Sequence, residues 1–103
     1  MLIHCVYFKL KPDIGETERA AFREGVEALK TIRHAEAVYV GGPAPVEKRP
    51  VCDDDYDVGL AVVLRDTAAH DAYQADPVHT AFLERFRSNW ERVRVFDFEE
   101  PSA

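Results

Sequence analysis

The chain has 103 residues, 47% of them hydrophobic and 31% charged, enough for one domain with a real core and too few for two. Its net charge of −6 argues against a polyanionic partner, because phosphate binding needs clustered Lys and Arg. Arg85, Arg87, Arg92 and Arg94 gather late in the chain, but Glu84, Glu91 and the acidic stretch from Asp97 to Glu100 dilute them to a solvated or interface rim. No apolar run reaches membrane-spanning length, and no signal peptide precedes the first strand pattern, so a cytoplasmic location is expected. Cys5 and Cys52 make no disulfide framework and are expected to be reduced.

Leu2 to Leu10 alternates at the strand period. Leu2, His4, Val6, Phe8 and Leu10 should face helices, while Ile3, Cys5, Tyr7 and Lys9 form a second face too apolar for water. A helix follows from Gly15 to about Lys30, with Glu16 and Glu18 in its first turn and Phe22, Val26 and Leu29 as its buried stripe. Ala35 to Gly42 reads as a second strand, stopped by Gly41-Gly42-Pro43. Residues 43–55 form a Pro-rich charged loop. Its Asp53-Asp54-Asp55 run lacks the spacing of an oxygen cage and reads as solvated.

Tyr56 to Leu64 is an apolar strand, with Val58, Leu60, Val62 and Leu64 opposite the small Gly59 and Ala61. A helix starts behind Asp66, breaks at Asp76-Pro77 and resumes to about Ser88, with Val78, Phe82 and Phe86 as its stripe. Asp76 suits an N-cap and Pro77 the first helical position, so the first turn carrying His79 is fixed in space. The positive end of the helix dipole disfavours an imidazolium there, which suits a neutral base. His70, on the first half of this helix, reads as solvent-facing and idle. Trp90 to Phe98 closes the chain as a strand.

The order β-α-β-β-α-β, with right-handed crossovers, gives an α+β ferredoxin-like sheet of strand order 4-1-3-2 with its helices on one face. Ile3, Cys5, Tyr7, Ala37, Tyr39, Phe96 and Phe98 then share the open face, and its simplest cover is a second copy in a two-fold homodimer. The last strand runs antiparallel beside the first, which brings Asp97 close to His4 on the helix side. Tyr73 and His79 flank the helix break above the same space. Titratable groups in such an apolar setting are costly unless paired.

His4 with Val6-Tyr7-Phe8-Lys9-Leu10-Lys11, Tyr73 with Pro77-Val78-His79, and Trp90 with Val95-Phe96-Asp97-Phe98 together resemble the stress-responsive dimeric α/β-barrel family, Dabb, over nearly the whole chain. The resemblance implies a homodimeric α+β barrel with the sheets at the interface. Plant polyketide cyclases of this family close poly-β-keto chains without metal or cofactor. Their acid–base histidine maps onto His79, their orienting aspartate onto Asp97, and their other pocket polar groups onto His4 and Tyr73. Where the cyclase pocket has a tyrosine, this chain has Val26, which speaks against an aromatic polyketide substrate.

The implied chemistry is proton abstraction next to a carbonyl, in a cyclase or isomerase. His79 would be the base, held in one tautomer by Asp97, with His4 or Tyr73 polarising the carbonyl oxygen. No phosphate loop, dinucleotide fingerprint or metal-ligand cluster is visible, so neither cofactor nor metal is expected. Monooxygenases of similar fold can use haem, and His4 or His79 could ligate iron, but nothing in the sequence selects this. The alternative is a non-enzymatic stress-responsive dimer, structural or binding a small apolar ligand, with His4, Asp97 and His79 as a satisfied core network.

Overall fold

The structure is a computed structural model and describes residues 1–101. Strand β1 spans Leu2–Leu10, helix α1 Glu16–Ala28, β2 Ala37–Gly41, β3 Val58–Leu64, α2 Thr67–Ala75, α3 Pro77–Phe86 and β4 Trp90–Glu99. Short 3-10 turns, Leu29–Thr31 and Arg87–Asn89, finish α1 and α3. The antiparallel sheet has the order β2-β3-β1-β4, as the ferredoxin-like reading requires. The second strand is shorter than expected and starts only at Ala37.

Strand period decides the layers. Leu2, His4, Val6, Phe8 and Leu10 of β1 are buried, as are Val58, Leu60, Val62 and Leu64 of β3, while the residues between them are only partly covered. Phe22 and Val26 of α1 and Leu29 beyond it complete the core, with Phe8, Phe22, Phe82, Phe86 and Trp90 stacked edge-to-face and tilted. Gly25 lets α1 approach α3: a Cβ there would lie 2.2 Å from a ring carbon of Phe86. Glu18 of α1 accepts hydrogen bonds from Arg85 and from the Asn89 amide, which ties the start of α1 to the end of α3; these partners hold the Glu18 carboxyl down at about 2.

The two helix starts follow the expected chemistry. Asp66 accepts from the Ala69 N–H at 2.9 Å, and Asp76 from the Val78 N–H at 2.8 Å with Pro77 as the first helical residue. The α3 stripe differs from expectation: Val78 is 38% exposed, and His79, Phe82 and Phe86 take the buried positions. Asp76 caps α3 in an extended conformation, and this break rotates the new helix so that its third residue, not its second, meets the core.

On the open face, Tyr39, Phe96 and Phe98 are exposed. The loop aspartates are exposed, as expected of a solvated run, but they are also paired. Asp53 pairs with Arg94, and Asp55 with both Lys9 and Arg92, so the loop folds back over the β1–β4 edge of this face. The three cations share a strand face with Tyr7, Phe96 and Phe98, and the loop is the nearest source of negative charge. Arg92 and Arg94 are therefore paired, with side chains still 43% exposed, as part of a solvated or interface rim.

No helix of the described residues is long and apolar enough to cross a membrane.

Candidate functional site

The register sets His4 of β1 directly opposite Asp97 of β4, with both on the helix side. Cross-strand side chains so placed are within bonding reach. His4 Nδ1 donates to Asp97 Oδ1 at 2.6 Å. Its other nitrogen, Nε2, faces the side-chain amide of Gln74 at 3.4 Å. The ring is buried, whereas Asp97, on the edge strand, keeps its side chain 41% exposed.

This corrects the expected pairing. Asp97 serves His4, not His79, because strand register brings the carboxylate to the imidazole beside it before any helix residue can compete. His79 instead stands alone: it is 7% exposed, and its Nδ1 is buried with no hydrogen-bond partner. Burial first, and then the nearby His4 ring, hold the imidazole below its usual value; Asp76 opposes this and His70 adds to it. A group so placed is neutral at pH 7 and free to accept a proton.

The break between α2 and α3 sets Tyr73 against His79, with ring centroids 5.1 Å apart and planes at 66°. Tyr73 is fully buried, its hydroxyl has no partner, and burial pushes its ionisation up. His79 and His4 line a cavity of about 130 Å³ between sheet and helices, shared with Gln74, Leu83, Trp90 and Val95 among others. Of the residues expected here, Tyr73 stands behind His79 rather than in the cavity wall. Val26 is a fully buried core residue and is not part of that wall.

Three residues were missed. Gln74 follows Tyr73 and reads in sequence as an ordinary helix-surface amide; only the register of α2 over β1 brings it to His4. Trp90 lines the cavity with its Nε1–H buried and unpartnered, and in sequence it is one more apolar residue at a strand start. His70 is not idle. Its ring lies edge-on to His4 with centroids 5.3 Å apart and its side chain is 25% exposed. The i+3 spacing to Tyr73 placed it one turn away on the neighbouring face of α2, over the end of β1 that carries His4.

What this site can do is proton chemistry. It holds one neutral, unpartnered imidazole, one imidazole fixed by a carboxylate, and unpaired donors at Trp90 and Tyr73, in an apolar enclosure that strengthens each interaction.

Solved structures of similar fold frame these observations. A Dabb protein from Mesorhizobium loti is 24% identical over 98% of this chain and 97% of its own, with a TM-score of 0.77. A dimeric ferredoxin-like protein of unknown function from Thermobifida fusca is 16% identical over 94% and 88%, with a TM-score of 0.76. The hydroxynitrile lyase of Passiflora edulis is 16% identical over 99% and 94%, with a TM-score of 0.78. No curated protein matches this sequence. The profile of the Stress responsive A/B Barrel Domain matches residues 2–100. With the ferredoxin-like sheet and a sequence match from the first strand to the end of the last, the chain belongs to the Dabb family of stress-responsive A/B barrel domains.

Proposed function

We propose that the protein is an acid–base enzyme acting on a small carbonyl compound, with His79 as the base that removes the proton next to the carbonyl. The observation that carries this reading is the imidazole of His79, which lines the cavity and whose Nδ1 is buried with no hydrogen-bond partner. An orphaned buried polar atom costs about 1–3 kcal/mol, and the Tyr73 hydroxyl and Trp90 N–H add two more. A core under selection for stability alone would have paired or replaced them. A bound carbonyl oxygen would accept from Trp90 or from Gln74, both in the cavity wall, and these donors would stabilise the negative charge as the proton leaves, while Tyr73 backs the base from behind. The His4–Asp97 pair fixes the tautomer of His4 and completes the polar end of the cavity.

The cavity of about 130 Å³ is small against the roughly 300–1,000 Å³ of drug-sized pockets, and with Val26 in the core this favours a substrate of few heavy atoms over a polyketide. The lyase of similar fold supports only the idea that this scaffold can house an active site. One observation favours a non-catalytic, ligand-holding or structural role: His4, Asp97 and Gln74 form a network that is already satisfied. The unpaired His79, Tyr73 and Trp90 weigh more.

We propose further that the protein works as a homodimer through the open sheet face. Exposed Tyr39, Phe96 and Phe98 make that face too apolar for solvent, and similar structures are described as dimeric.

The enzymatic reading is tested by solvent-deuterium exchange, followed by NMR, into a panel of small ketones, β-keto acids and α-hydroxy ketones. The wild type should speed exchange at the carbon next to the carbonyl. His79→Phe should lower that rate by about 100-fold or more, the scale of a lost general base. Compounds that bind with no exchange would favour the ligand-holding role, and exchange untouched by His79→Phe would remove His79 from the chemistry.

A further inference from the structure

His4 and Asp97, a pair in the acid–base reading, have in His70 a third neighbour that this reading does not use. One ring nitrogen from each histidine and one Asp97 oxygen lie within 4.8 Å of one another. The three come from β1, α2 and β4, so tertiary packing assembles them; they are not neighbours in sequence. We propose that they form a binding site for a divalent first-row transition ion such as zinc or cobalt, with two imidazoles and one carboxylate as protein ligands and the remaining positions open to water.

The donor chemistry fits. Imidazole with carboxylate suits zinc and its neighbours, and three protein ligands with an open position is an arrangement such ions adopt. An ion about 2 Å from each donor needs the donors roughly 3.3 Å apart, so Asp97 must draw back slightly from His4, which it meets at 2.6 Å, while His70 closes in from within 4.8 Å. The two outer ligands have the freedom to do this: the Asp97 side chain is 41% exposed and that of His70 25% exposed. His70 must give up only its exposed contact with Asp71 at 3.1 Å.

His4 is the rigid member, and its surroundings support ligation. Asp97 already meets its Nδ1 at 2.6 Å, so an ion would replace the proton between them. That proton has a place to go. Nε2 of the ring faces the Gln74 amide at 3.4 Å, and the amide turned over would accept an Nε2–H. Ligating histidines commonly hold their second nitrogen in this way. The net charge of −6 adds a favourable background for a cation. His79 is not among the ligands, so the site stands or falls independently of the proposed base.

The test is isothermal titration of untagged, chelator-treated protein with zinc, repeated with cobalt and followed by paramagnetic shifts of the histidine rings. One ion per chain is expected, with shifts at His4 and His70. His70→Ala and Asp97→Ala should each weaken binding by at least about 10-fold, since losing even an outer-shell partner costs 10–100-fold. Asp71→Asn and His34→Ala should bind as the wild type does. Circular dichroism of both ligand variants, altered at partly exposed positions, checks that they fold. No binding by the folded wild type, or an isotherm unchanged in both His70→Ala and Asp97→Ala, overturns the proposal. So do shifts centred on His34 or on the 43–55 loop.

Discussion

Replacing His79 by phenylalanine should make the protein more stable while it removes the proposed activity. The imidazole is 7% exposed and its Nδ1 has no partner, so the folded state carries a desolvation cost of about 1–3 kcal/mol that phenylalanine does not have. The new ring keeps the aromatic contacts with Tyr73 and Phe82, whose centroids lie 5.1 and 6.4 Å from that of His79. Its extra carbon has the adjoining cavity of about 130 Å³ to enter, which limits overpacking. The net gain should be about 1 kcal/mol at pH 7, or a rise in Tm of roughly 4–8 °C for a domain of this size.

The pH dependence has a definite sign. The folded His79 sits below its unfolded value of 6.5, so under that pH the unfolded chain binds a proton that the folded chain refuses. Wild-type stability therefore falls as pH drops below 6.5, by up to about 1.4 kcal/mol per unit until the folded group itself titrates. The variant lacks this loss, and its advantage should widen from pH 7 to pH 5. Urea unfolding of both proteins across that range measures it. A variant less stable than wild type at pH 7, with no widening at pH 5, would refute the reasoning and show that His79 has a structural partner.

Other outcomes follow from the same structure. Gly25→Ala places a methyl group 2.2 Å from the Phe86 ring, so urea unfolding should show a loss of up to about 2 kcal/mol; a gain of about 1 kcal/mol, the helix-propensity effect alone, would mean that α1 and α3 are not in close contact. Sedimentation at micromolar concentration should find a dimer for the wild type and a monomer for Tyr7→Glu, which puts a charge on the open face; a wild-type monomer, or a Tyr7→Glu dimer, would place the interface elsewhere. Glu18, held at about 2 by Arg85 and Asn89, contributes stability that is present above pH 4.5 and is lost as pH falls toward 2. Acid unfolding of Glu18→Gln should lack that part of the wild-type decline.

Strand period carried most of the fold into view. Alternation in Leu2–Leu10 and Val58–Leu64 set the buried face, and the order of elements with right-handed crossovers left one sheet topology. The capping pair Asp66 and Asp76 was equally legible, because caps are local chemistry. The site was only partly so. The meeting of His4 with Asp97 followed from antiparallel register, but the family resemblance assigned the carboxylate to His79, and in this chain proximity across the sheet decides the matter. Gln74, Trp90 and His70 were hidden because their roles depend on how α2 and β4 lie over β1, an angle that no local pattern encodes. The partners of the loop aspartates were hidden for a similar reason: Lys9, Arg92 and Arg94 are distant in sequence and adjacent only on the finished sheet.

The central claim is that two histidines divide the work, His4 bound to Asp97 and His79 left neutral and unpaired. Its most direct test is a pH titration of the ring nitrogens by NMR, in wild type and in Asp97→Ala. The structure requires His79 to titrate below 6.5 and to respond little to Asp97→Ala, whereas the ring signals of His4 should lose their fixed tautomer in that variant. A His79 that titrates above 6.5, and whose tautomer changes when Asp97 is removed while His4 is unaffected, would contradict the account.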